Sequence, residues 1–168
     1  HTVFLTEDIT DILLKNVGFK IIKKEYYNEH SIFYACQKTK PQKLKFPNSI
    51  YENNKKTFLE YIEYYQNKIK YLNHQIEEHK GEVFLFSGHI FSQFLIYNGL
   101  NTDKIISILD NSKMKRGKRL YGTPFTVNSP KILKECSNPA VILKAASYSK
   151  EIKSDILNNI NPNTIFFE

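Results

Sequence analysis

A chain of 168 residues with 41% hydrophobic and 24% charged side chains has the composition of a globular protein, with room for one full domain or one domain and part of another. No apolar run approaches the roughly 18 residues of a membrane span, and Cys36 and Cys136 form no CxxC pair, which excludes a disulfide scaffold and a cysteine zinc site. The net charge of +7 comes almost entirely from scattered lysine, which reads as a solvated surface rather than a nucleic-acid footprint; the local stretch Lys113 to Arg119, with both arginines, Arg116 and Arg119, instead suits the phosphates of a small ligand, and a cytoplasmic location is expected.

The chain opens on His1-Thr2-Val3 without methionine or a signal-like stretch, which reads as a piece of a longer protein in which His1 is either native or left by a tag. Glu7 to Val17 carry Ile9, Ile12, Leu13 and Leu14 on one predicted helical face behind Thr6, a suitable N-cap, and Gly18 ends the helix. Phe19 to Tyr27 and Ser31 to Thr39 predict two strands joined in a hairpin through Asn28-Glu29-His30. A helix and a hairpin of this size bury little core, so residues 1–40 read as the tail end of a larger sheet. A polar linker over residues 41–50 follows, containing Pro41 and Pro47.

The longest predicted helix covers 51–80, where Phe58, Ile62, Tyr65, Ile69, Leu72 and Ile76 repeat at spacings of 4-3-4-3-4. Such a seam serves either a helix laid across a neighbouring domain or a coiled-coil homodimer. His74 and His79 on this helix read as part of its solvated face. From Gly81 the pattern alternates: a strand at Val83–Phe86, a helix at Ile90–Asn98, and a strand at Lys104–Leu109 ending in Asp110. A long loop runs through Gly117 and Gly122-Thr123-Pro124. A short helix begins at Ser129, then come a strand at Ala140–Ala145, a helix at Ser149–Asn159 and a last strand at Thr164–Phe167. Alternating strands and helices predict an α/β fold, a Rossmann-like parallel sheet with flanking helices over residues 81–168.

The turn Ser87-Gly88-His89 stands where a Rossmann unit places its phosphate loop, and Asp110 follows Gly88 by 22 residues, where such folds often hold a ribose hydroxyl. A GxGxxG motif needs glycine at 90 and 93, and the chain has Ile90 and Gln93, which argues against a nicotinamide cofactor. The segment from Asp110 to Thr123 joins an acidic strand end to Lys115, Lys118 and two glycines, Gly117 and Gly122, at the sheet edge where open α/β folds bind ligands. It is either a ligand loop or a solvated one.

Asp110, Lys115, Gly117, Gly122, Thr123 and Val127, followed by Ser147-Tyr148-Ser149-Lys150-Glu151-Ile152, fall at the spacing of D-x-N-P-x-K-x-G, P-G-T, P-V and N-Y-x-x-E-I motifs. In these residues the chain resembles the C-terminal region of the sugar C-methyltransferase family, S-adenosylmethionine-dependent enzymes that act on nucleotide-linked sugars. Ser112 and Lys113 stand in place of the Asn-Pro, Tyr121 in place of the proline before Gly122, and Ser147 in place of the asparagine. Gly18-Phe19 and His30-Ser31-Ile32-Phe33-Tyr34 resemble the end of that family's methyltransferase core, without its paired glycines. On this alignment His1 takes the place of a histidine that the family implies is a general base near the sugar.

The resemblance implies that residues 81–168 help to bind a nucleotide-sugar through Ser87, Gly88, His89, Asp110, Lys115, Gly117, Lys118, Gly122, Thr123 and Tyr148. It implies that S-adenosylmethionine sits on a core domain outside this segment, that the other domains of the parent chain are its partners, and that the segment alone catalyses nothing. A non-catalytic Rossmann-like scaffold, with the 51–80 helix as its interaction surface, is the alternative. A nicotinamide-dependent oxidoreductase fragment and a nucleic-acid binder rank behind both.

Overall fold

The computed structural model describes residues 5–27, 31–143 and 148–168. They fall into two compact units that divide between Ile62 and Glu63. His1, His30 and Ser147, which the family resemblance invokes, lie outside the described residues, as do positions 144 and 145 of the predicted 140–145 strand.

The first unit holds α1 (Glu7–Asn16) and the antiparallel strands β1 (Phe19–Tyr27) and β2 (Ser31–Lys38). Gly18 adopts φ +88° at the helix end, where its amide bonds back to the Lys15 carbonyl. Thr6 occupies the N-cap, but its side chain makes no capping bond; its carbonyl accepts from both the amide and the hydroxyl of Thr10. The expected apolar face is incomplete. Ile9, Ile12 and Leu14 are half-buried while Leu13 is exposed, because three consecutive helical residues sweep about 200° around the axis. An ionic cluster joins α1 to β1: the Lys24 ammonium donates to Glu7 and Asp11, and the Tyr26 hydroxyl donates to Glu7. These partners push the Lys24 pKa up and the Glu7 pKa down.

The long helix α2 (Asn48–Glu78) runs from the first unit into the second. In the second unit five parallel strands form one sheet: β3 (Val83–Phe86), β4 (Ile105–Leu109), β5 (Val127–Asn128), β6 (Ala140–Ile142) and β7 (Ile165–Phe167), in the spatial order β5-β4-β3-β6-β7. The order reverses between β3 and β6, which makes this a Rossmann-like α/β arrangement with its switch point there. α3 (Ile90–Tyr97) connects β3 to β4. α4 (Ser149–Asp155), continued by one π turn over Ile156–Ile160, precedes β7.

Two apolar clusters sit on the two faces of this sheet, because residues along a strand alternate in direction. Val83, Leu85, Ala140 and Ile142 pack with Ile69, Leu72 and Ile76 of α2 and Leu95 of α3, while Phe84, Phe86, Val141 and Leu143 pack with Leu133, Ile152 and Ile156. A one-residue irregularity at Ile106 shifts the β4 register, so that Ser107 stands opposite Phe84 and Ile108 opposite Leu85. The lower half of the α2 seam is therefore consumed by the sheet of its own unit, whereas Phe58 is exposed.

His79 departs from the solvated position expected of it. Just past the end of α2, its buried ring lies edge-on to Phe167 and its Nε2 is 3.0 Å from the Asn138 carbonyl. His74 stays exposed beside Glu78. Among the described residues no helix is long and apolar enough to cross a membrane.

Candidate functional site

At the carboxyl ends of β3 and β4 the chain builds a turn, a loop and a short hairpin around one carboxylate. The turn follows β3. Ser87 takes φ +94°, a region that a non-glycine residue enters at a cost of about 1–3 kcal/mol and keeps only when its surroundings hold it there. Those holds are visible: the Ser87 amide donates to the Leu109 carbonyl, its own carbonyl accepts from the His89 amide, and the Ser92 hydroxyl donates to the same carbonyl.

Asp110 ties this turn to the loop after β4. Its Oδ2 accepts from the Gly88 amide at 2.8 Å and from the Lys115 ammonium at 2.9 Å, and its Oδ1 accepts from the Ser112 amide at 2.8 Å. Burial pushes the Asp110 pKa up, but the Lys115 bond, the two backbone donors and the Lys115 charge outweigh it and hold the group below its ordinary value. Three donors of its own chain thus occupy this carboxylate, two on Oδ2 and one on Oδ1.

The loop then turns back as a hairpin. Gly117, at φ +74°, donates its amide to the Val127 carbonyl, and Val127 and Leu120 bond across to Lys118 and Phe125. Gly122, at φ +72°, lies at the tip, where the Thr123 hydroxyl donates to the Leu120 carbonyl and accepts from the Phe125 amide. The Gln93 side-chain amide reaches from α3 to the Tyr121 carbonyl.

Between the β3 turn, α3 and this hairpin lies an open depression of about 340 Å³. Of the residues singled out in the sequence, Gly88, His89, Lys115, Lys118 and Arg119 line it; Gln93 and Tyr121 join them there without having been anticipated. Ser87 and Asp110 brace the wall, Gly117, Gly122 and Thr123 shape the hairpin, and Tyr148 stands exposed at the start of α4. Arg119 had a signal in the sequence, since it belongs to the only arginine-containing stretch, Lys113 to Arg119. Gln93 and Tyr121 had none, because the hairpin that brings them together has no hydrophobic period.

The depression is cationic. Lys115 is spoken for by Asp110, but the side chains of Lys118 and Arg119 are exposed and have no ion-pair or hydrogen-bond partner among the described residues. The N-terminus of α3 opens onto the same space: Ser92 and Gln93 bond back to the His89 carbonyl, and the amides of Ile90 and Phe91 lie at the helix's positive end. A second depression, of about 360 Å³ beside Asn111, is lined by Glu151, Ser154, Asp155 and Asn159 and has the opposite character.

Comparison of the chain with known protein families, with characterised proteins and with solved structures gives no match. The chemistry of the site must carry the functional argument. No group of three or more histidine, cysteine or acidic side chains that could hold a metal occurs among the described residues. The basic side chains of Lys118 and Arg119 in the lining of the 340 Å³ depression suit an anion better than the sulfonium cation of S-adenosylmethionine.

Proposed function

We propose that residues 63–168 bind the nucleotide diphosphate of a nucleotide-linked sugar, as the C-terminal domain of an S-adenosylmethionine-dependent sugar methyltransferase whose methyl donor is held elsewhere in the enzyme. The observation that carries the binding reading is the depression at the carboxyl edge of the sheet, with Lys118 and Arg119 lacking any partner among the described residues beside the N-terminus of α3. A diphosphate is small enough for about 340 Å³, and its charge is met by two cations and by helix amides that need an acceptor. The exposed ring of Tyr121 at the rim offers a surface for a base or sugar. The methyltransferase part of the reading rests on the resemblance over Asp110–Ile152.

In this reading the domain does no covalent chemistry. Methyl transfer to a sugar carbon beside a ketone needs a base, an enolate and a methyl donor in line, and fixing the sugar by its nucleotide supplies much of the orientation. The contribution of this chain is to bind the diphosphate and exclude other poses.

The test is calorimetric titration with dTDP, GDP and CDP, with NADH and S-adenosylmethionine as comparison ligands. The expected result is binding of one nucleotide diphosphate, weakened about tenfold by Arg119→Ala or Lys118→Ala. Absence of binding to any of the three nucleotides overturns the reading and favours a non-catalytic scaffold.

A further inference from the structure

We infer that Asp110 is a positioning residue for this anion site, and that it promotes anion binding although it carries the same sign of charge as the ligand. The inference rests on the phosphate reading above. Asp110 lies behind the depression, its side chain 11% exposed, and does not line the space itself. Its three donors come from two different segments: the Gly88 amide from the turn after β3, and the Ser112 amide and Lys115 ammonium from the loop after β4. One carboxylate thus sets the distance between the α3 N-terminus and the loop that leads to Lys118 and Arg119. Oδ2 alone bridges the two segments, accepting from Gly88 on one side and Lys115 on the other, and Oδ1 adds the Ser112 amide.

Charge and geometry make opposite predictions for its removal. By Coulomb's law alone, neutralising Asp110 deletes a repulsion and frees Lys115 for the ligand, so an anion binds more tightly. If Asp110 is the pin, the turn and the loop separate and the anion binds more weakly, because the binding groups are no longer preorganised. The sign of the change decides between them.

The experiment is calorimetric titration of the full chain with inorganic pyrophosphate for the wild type, Asp110→Asn, Asp110→Ala, and the double variant Asp110→Asn/Lys115→Gln, which leaves the net charge unchanged. The expected result is a loss of affinity of about tenfold or more in each variant, larger for alanine than for asparagine, which keeps one acceptor oxygen. Faster hydrogen exchange at Gly88 and Ser112 should accompany it. A merely structural role has a different signature, since partial unfolding lowers the apparent affinity only in proportion to the folded fraction, which a thermal melt of each variant reads independently. Should the alanine variant not fold, the double variant gives the answer. Equal or tighter binding by Asp110→Asn, or a loss of affinity no larger than its folded fraction accounts for, overturns the inference while the phosphate reading stands. No binding by the wild type overturns the phosphate reading and this inference with it.

Discussion

The amide of Gly88 donates to Oδ2 of Asp110 at 2.8 Å across 22 residues of sequence, and a Cβ on Gly88 would lie 3.1 Å from Val127 Cγ2 and 3.3 Å from that same oxygen. A side chain at 88 would need Val127 and the Asp110 carboxylate to give way by a few tenths of an ångström. Gly88→Ala is therefore expected to destabilise the second unit by about 1–3 kcal/mol through overpacking, measured by urea denaturation. A midpoint equal to wild type would show that Val127 and the Asp110 side chain yield freely.

Acid should loosen the same junction. The Asp110 pKa is lowered in the folded chain, so its contribution is fully present above the unfolded value near 3.8 and disappears as pH falls through the folded value below it. Thermal melts from pH 5 down to pH 2 should show a falling midpoint in the wild type and a shallower fall in Asp110→Asn. Parallel curves would mean that other carboxylates govern acid unfolding.

Two other glycines separate steric need from conformational need. A Cβ on Gly81 would stand 2.0 Å from the Asn138 carbonyl oxygen and 2.8 Å from Nε2 of His79, while a Cβ on Gly99 meets nothing within 4 Å although φ is +98°. Gly99→Ala should cost about 1–2 kcal/mol, the ordinary penalty of left-handed backbone. Gly81→Ala should cost more, because backbone must move. Melting temperatures in the reverse order would refute this.

The α2 seam makes a prediction that bears on self-association. Ile69 is 3% exposed and Ile76 fully buried in the core of the second unit, whereas Phe58 is 62% exposed. Ile76→Ala should lose about 2–5 kcal/mol. Ile69→Asp should abolish cooperative unfolding, so it cannot report on a homodimer. Phe58→Asp, a surface change, should leave stability within about 0.5 kcal/mol and is the variant to place in the ultracentrifuge if α2 pairs with a second copy.

Much of the second unit was legible because its strands are apolar on both faces. Val83–Phe86 has four consecutive large hydrophobic residues, as a strand covered by helices on both sides must. β5 was not legible. Val127–Asn128 is a two-residue strand inside a segment rich in glycine and lysine, and it owes its place to pairing with Ile108 and Leu109. The burial of His79 escaped for a related reason, since the fold beyond the helix, and not the helical period, carries the chain into the core. At the site, Gly88, Lys115 and Lys118 could be named from their residue types and position at the sheet edge. The three-way engagement of Asp110 could not, because an aspartate that binds a ribose and one that binds its own backbone occupy the same place in the sequence.

The hairpin that carries Lys118 and Arg119 leads into β5 at the edge of the sheet, and its tip is held to α3 through the Gln93 side chain. Its two basic residues, Lys118 and Arg119, are exposed cleavage points for trypsin, whereas the central strands β3 and β6 are buried throughout. On the proposed reading, a diphosphate seated between this hairpin and α3 would shield those peptide bonds, so occupancy would be written into the order in which a protease cuts the domain.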